Sequence, residues 1–321
     1  MWNIFLELLP NVILGGLILG FIYALIAVGY TLVYGVLQLI NFSHSEIFMI
    51  GAVAGIETMR GLQNTPLPGL IQLLLALIIG ALIAASVAVI VERCAYRPLR
   101  KRGSKNRLIP LITAIGVSFI LQDLVKLIES VWHQEFFITF PSLVDLNTAY
   151  QLPLNMHIQL KSIIMMIIAI IMGLVLYYII HRTRLGYSIR AVAQNPQSAQ
   201  LMGISPDNVI AKTFALGGAM GGIAGVLFAL QYNTVNPYIG FMPGIKAFTA
   251  AVLGGIGSVP GALLGGVILG QLETLAGTYL PLFTHGDIGT EYKDMIAFLI
   301  LILILLFKPQ GLLGKNHVEK I

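Results

Sequence analysis

Apolar residues run along this chain in long blocks without alternation, over about 11–34, 70–91, 108–128, 162–181, 209–230 and 294–307. Each block approaches the roughly twenty apolar residues that one helical crossing of a bilayer requires. Backbone groups in lipid must be satisfied within the chain, which leaves helices or closed barrels. Strands would alternate apolar and polar side chains; these blocks do not, so they predict helices. Three shorter apolar segments, 42–58, 244–257 and 260–276, are broken by glycine. The pattern predicts an all-α polytopic membrane protein, one domain over residues 1–321, with about eight to nine transmembrane segments, some short or broken.

Composition agrees. The 321 residues are 57% hydrophobic and 10% charged, against about 25% charged in soluble domains. The first apolar run has no basic segment before it and no small-residue cleavage site, so it reads as a retained helix. Cys94 is the single cysteine, which excludes an intramolecular disulfide and a multi-cysteine metal site; no metal site is assigned. The net charge of +5 invites comparison with nucleic-acid binders, but in a membrane protein clustered Lys and Arg report orientation, and no nucleic-acid partner is expected. "RCAYRPLRKRGSKNR" holds seven of the 19 basic residues, Arg182, Arg184, Arg190 and Lys212 bracket a second loop, and Lys308, Lys315 and Lys320 lie in the tail. All fall on one face if 42–58 crosses and the two segments between 244 and 276 form a pair. The positive-inside rule makes that face cytoplasmic. The N-terminus then lies outside and the C-terminus in the cytoplasm, with Ser104 inside and Ser142 outside.

The outer segment 130–161 carries Trp132, Phe136, Phe137, Phe140 and Tyr150, read as interfacial anchors in preference to a docking surface. Asp123 and Lys126 read as a local pair or as side chains reaching the interface. The 34 glycines cluster in "GGAMGGIAG" and "GGIGSVPGALLGG", where small residues permit close helix approach and Pro260 with Gly261 breaks the helix. A weak inverted echo relates 11–34 with its polar break to 209–230 with "NTVNPYIGFMPGIKAF"; interrupted helices in inverted repeats mark transport paths.

"INFSHSEIFMIGA", Ile40 to Ala52, is the first polar interruption. Polar groups inside hydrocarbon are costly, so the cluster belongs at a membrane surface or beside a wet cavity. Ser43 and Glu46 have the spacing of a capping box, which predicts a helix starting there. Beyond capping, Asn41, Ser43, His44 and Glu46 are candidates for the cytoplasmic end of a translocation path, with His44 as a gate or simply an interfacial polar residue.

In "RAVAQNPQSAQLMGISPDNV", 190–209, Asn195 can cap a short helix with Pro196 at its first position and Gly203 at its end. That helix displays Gln197, Ser198, Ala199, Gln200, Leu201 and Met202 ahead of Gly203 and Ile204. An exposed Leu–Met pair fits a partner's groove; a connector lying on lipid is the alternative.

The chain resembles the LivH-type permease subunit of branched-chain amino-acid ABC importers, through "YALIAVGYTLVYGVLQLINFSHSEIFMIGA", "ERCAYRPLR", "LITAIGVSFILQ", "RAVAQNPQSAQLMGI", "NPYIGFMPGIKAFTAAVLGGIGSVPGALLGG" and "FKPQGLLG". The resemblance implies an importer half-channel. Its expected partners are a homologous second permease, two cytoplasmic ATPases using ATP and Mg, and a periplasmic binding protein for leucine, isoleucine and valine, all in membrane lipid. It further implies that Asn195 to Ile204 forms the coupling helix, within a cytoplasmic coupling loop at 190–209. Ser43 and Ser45 stand where the family usually has alanine and glycine, which strengthens capping and argues against a close backbone approach at Ser45. Lys246, at the start of a short helix, opposes the helix dipole and reads either as a snorkelling side chain or as a group drawing the substrate carboxylate into the pore.

No G-x-x-x-x-G-K-[ST] phosphate loop occurs, "GLLGK" at 311–315 having the wrong spacing. No nucleophile–base arrangement argues for an enzyme. An ion-coupled transporter would need titratable groups at mid-membrane, whereas Glu46, Glu57, Lys246 and Glu273 can all be placed near helix ends. A urea or short-amide permease is the nearest substrate alternative.

Overall fold

In the computed structural model, residues 2–39, 41–102, 108–141, 146–152, 156–287, 289–308 and 310–314 are described. Ser104, Ser142, Lys315 and Lys320 lie outside them. Helix α1 (Trp2–Leu37) is followed by α2 (His44–Leu62), α3 (Gly69–Val91), α4 (Arg97–Lys101), α5 (Leu108–Trp132), α6 (Leu160–Arg182), α7 (Arg184–Gln194), α8 (Pro196–Leu201), α9 (Pro206–Tyr232), α10 (Phe241–Gly254), α11 (Val259–Phe283) and α12 (Lys293–Phe307).

Among the described residues six helices are long and apolar enough to cross a membrane: Phe5–Leu37, Gly69–Lys101, Leu108–Trp132, Leu160–Arg182, Pro206–Tyr232 and Val259–Phe283. This is fewer than the eight to nine expected, and two assignments exchange places. The 260–276 segment is part of a 25-residue helix, whereas 294–307 lies in one of only 15. Pro260 does not break α11. It stands in the first turn, where a missing amide costs nothing, and Ser258 caps the helix by accepting from the Gly261 amide at 3.2 Å. The break comes earlier, at Gly255 (φ +105°) and Gly257 (φ +90°). The terminal "QGLLG" folds back on this turn, the Leu312 and Leu313 amides donating to the Leu253 and Gly254 carbonyls at 2.8 and 2.9 Å. "ERCAYRPLR" is not loop: α3 runs through a π-helical turn, Glu92–Tyr96, into α4.

The segment 130–161 adds two small antiparallel ribbons. Strand β1 (Ile138–Thr139) pairs with β4 (Thr234–Val235), and β2 (Ala149–Leu152) with β3 (Met156–Gln159). Trp132, Phe136, Phe137 and Tyr150 are exposed as anchors should be, but Phe140 is buried. The β1–β4 pairing draws it inward, its amide donating to the Asn233 carbonyl at 2.8 Å. Lys126 lies over the Tyr238 ring at 5.8 Å.

α9 is the axis of the bundle, packed by α1, α2 and α3. Its face toward α2 and α3 includes Gly218, Gly222 and Gly225, with Val226 seated over Gly55 and Gly80. A Cβ on Gly225 would collide with the Phe48 carbonyl and Ala52 amide of α2, and one on Gly222 with the Gly80 carbonyl of α3. The same device joins α11 to α1, where Gly270 meets the Gly20 backbone. Water-exclusion contributes little between helices in lipid, so van der Waals contact at backbone distance supplies much of the association.

Gly225→Val forces the α2–α9 seam apart and should lower the thermal midpoint of the detergent-purified protein by several degrees, the effect of overpacking by about 1–3 kcal/mol. Gly116→Ala, where no atom lies within 4 Å, should leave it unchanged.

Candidate functional site

The polar start of α2 is neither at a surface nor open to water. Asn41, Ser43, His44, Ser45 and Glu46 are all buried, at the depth of Gly29 on α1, Ser118 on α5 and Gly221 on α9. The expected capping box does not form. Ser43 has helical backbone angles and makes no side-chain cap; its hydroxyl donates to Asn41 Oδ1 at 2.5 Å. Tyr96 donates to the same oxygen at 2.7 Å. Glu46 turns to α5 instead, its Oε1 accepting from Ser118 Oγ at 3.0 Å and Gln122 Nε2 at 2.8 Å. A buried carboxylate gains more from two fixed side-chain donors than from one amide of its own helix. His44 sits against Gly29 and Gly221, with Tyr30 edge-on at 4.7 Å.

Close approach at Ser45 does occur, because the partner helix supplies the room. Gly240 and Gly244, at the start of α10, lie against Ser45, and Gly240 against the Glu46 carboxylate as well. Thus α2 and α10 both begin inside the bundle and meet at their N-terminal ends. Glu46 lies between two positive helix termini, a favourable position for a carboxylate.

Lys246 does not snorkel. It is buried, with its ammonium 2.8 Å from Glu273 and 2.7 Å from Asp294. Tyr23 donates to the other Glu273 oxygen at 2.9 Å, and Lys293 approaches Glu273 at 3.3 Å. Two cations and two anions therefore balance, and α1, α10, α11 and α12 are tied together. Glu273 is in the middle of α11, not near an end, because this quartet neutralises it there. Where α2 and α5 end, Glu57, Glu129 and His133 also converge, with ligand atoms within 4.8 Å of one another; Arg60 pairs with Glu57 at 3.2 Å and Glu135 at 2.7 Å.

The loop at the opposite end follows its expected geometry closely. Asn195 is extended and its side chain accepts from the Gln197 and Ser198 amides at 2.9 and 3.1 Å, with Pro196 opening α8. Gly203 has φ +81°, and the Ile204 amide closes the turn on the Ala199 carbonyl at 3.0 Å. Leu201 and Met202 are 89% and 82% exposed. Ala199 is not displayed: at 4% exposure it is the face that α8 packs inward. Beside the helix lies a cavity of about 660 Å3 whose lining includes Arg100, Lys101, Gln197 and Gln200. Arg100 binds Asp207 at 2.5 Å and the buried Glu92 at 3.1 Å, so the loop's exit is braced against α3. The sequence reading missed this brace because it took the basic run only as a mark of orientation; Glu92 and Asp207, isolated acids among cations, were its visible signal.

Residues 12–305 match the family model described as branched-chain amino acid transport system / permease component. The chain belongs to that family. It is 42% identical over 316 residues to the high-affinity branched-chain amino acid transport system permease protein BraD of Pseudomonas aeruginosa, covering 96% of this chain and 97% of the relative. It is 43% identical over 309 residues to the corresponding LivH of Escherichia coli K12, covering 95% and 96%. A probable branched-chain amino acid transport permease protein LivH of Methanocaldococcus jannaschii is 26% identical over 302 residues. No solved structure matches. The relatives bear the names of transport permeases, not of enzymes.

Glu46→Ala would leave Ser118 and Gln122 without their acceptor and loosen α5 from α2. The expected cost is about 1–3 kcal/mol, read as a lowered thermal midpoint; Glu46→Gln, which keeps an acceptor, should recover part of it.

Proposed function

We infer that this chain is a transmembrane permease subunit of an ATP-driven importer of branched-chain amino acids, spanning a bacterial inner membrane. The observation that carries the reading is similarity over 95–97% of both chains to permeases of that name. The proposed assembly holds a homologous second permease, two cytoplasmic ATPases and a periplasmic amino-acid-binding protein, with this chain forming half of the pore.

The proposed topology counts nine alternating helices, α1, α2, α3, α5, α6, α9, α10, α11 and α12, with the N-terminus outside and the tail inside. α10, at 14 residues, rises about 21 Å and spans only part of the core. The path follows the seam where α2 and α10 begin, beside Asn41, Ser43, His44 and Glu46, with Lys246 holding its outer wall. α8 is the coupling element: Leu201 and Met202 enter a groove on the ATPase, and Arg100 passes the movement to α3 through Glu92.

Orientation is checked by thiol labelling in a Cys94→Ala background. A cysteine at Ser205 should react with an impermeant maleimide only after the membrane is opened, and one at Gln151 in intact spheroplasts; the reverse pattern inverts the topology.

Because Ala199 faces inward, coupling is tested at the exposed pair. Leu201→Asp with Met202→Asp should abolish co-purification of the ATPases and binding-protein-stimulated ATP hydrolysis while leaving the permease inserted. Asn195→Ala should weaken both by the ~0.5–2 kcal/mol of a lost cap. Wild-type values in the double variant would make α8 a connector lying on the membrane.

A further inference from the structure

A cavity of about 350 Å3 opens toward the end of the bundle that holds the outer ribbons, among α1, α9, α11 and α12. Its lining includes Ile18, Leu19, Tyr232, Gly277, Glu273 and Lys293. Its size is within the ~300–1,000 Å3 typical of small-molecule sites. One wall is aliphatic and the other presents a carboxylate beside an ammonium, the complement of an apolar α-amino acid in its zwitterionic form. We propose that this cavity is the permease's own substrate site, with Glu273 receiving the ammonium and Lys293 the carboxylate of the transported amino acid. The assignment rests on the importer reading above and adds to it the place and the contacts.

The two lysines of the quartet differ in a way that separates structure from binding. The Lys246 side chain is 7% exposed and held between two carboxylates, Glu273 and Asp294. The Lys293 side chain is 41% exposed and has one, Glu273 Oε1, at 3.3 Å. If Lys293 swings away, Glu273 is still fixed by Tyr23 at 2.9 Å and Lys246 at 2.8 Å. A substrate ammonium can therefore take the place of the Lys293 ammonium at Oε1, while the released lysine meets the substrate carboxylate. Every charge keeps an opposite partner through the exchange, so the desolvation that opposes burying an unpaired ion does not arise. The aliphatic side chain falls on Ile18 and Leu19.

In the assembled transporter, Lys293→Gln should slow leucine uptake about tenfold or more, and Lys293→Arg should restore most of it. Subunit co-purification should persist in both, because Tyr23 and Lys246 still hold Glu273. Independently, a cysteine at Thr278, which also lines the cavity, should be modified from outside by an impermeant maleimide. Excess leucine should slow that modification; leucinamide and isocaproate, each lacking one of the two charges, should not. Wild-type uptake by Lys293→Gln, or equal modification rates with and without leucine, overturns the site. Should Lys293→Gln fail to assemble, the labelling result alone decides. Absence of leucine uptake by the wild-type complex would instead refute the importer reading and leave the labelling comparison to judge the cavity.

Discussion

A carboxylate that this bundle takes inside is costly unless another part of the same chain answers it, because hydrocarbon offers no hydrogen bonds. The architecture is organised around the places where this is done. Glu46 is met by Ser118 and Gln122, which fixes α5 to α2. Glu273 is met by Tyr23, Lys246 and Lys293, which fixes α11 to α1, α10 and α12. Glu92 is met by Arg97 and Arg100, and Arg100 also binds Asp207, which fixes the start of α9 to α4. Removing one partner from such a group is far more costly than never having had the pair, since it strands a buried charge.

Glycine supplies the second half of the design. Where α9 meets α2 and α3, and where α1 meets α11, the backbones approach at positions that a single methyl would block. Close backbones leave little room for side chains at these seams, and a dense cluster of buried polar groups, Asn41, Ser43, His44, Ser45 and Glu46, gathers where α2 begins. The start of α2 and the start of α10 face each other across Ser45, Gly240 and Gly244. Interrupted helices meeting at their positive ends recur in transporters at the substrate path, and here α10 reaches Glu273 of α11 through Lys246.

Much of this was legible in the sequence where local chemistry decides. The long apolar blocks became helices, and Asn195, Pro196 and Gly203 made the cap, first position and left-handed end that their side chains favour. What was not legible depended on partners distant in sequence. Ser43 and Glu46 have capping spacing, yet Glu46 is drawn to donors more than seventy residues away. Lys246 lacked a visible neighbour because Glu273 and Asp294 reach it only through the packing of α10, α11 and α12. Ala199 was read as displayed because a six-residue helix has too few positions to reveal which face is turned inward. Segment lengths erred for a related reason: glycine in 260–276 reads as a break, but on α11 it is a contact surface.

A permease of this kind should move an amino acid only as part of an ATP-driven complex. The most direct test is leucine uptake into proteoliposomes holding both permeases, with the binding protein outside, ATP inside, and the ATPase subunits present or omitted. Uptake should require the ATPases, ATP and the binding protein, and should ignore an imposed proton or sodium gradient. Gradient-driven uptake with the ATPases omitted would contradict it.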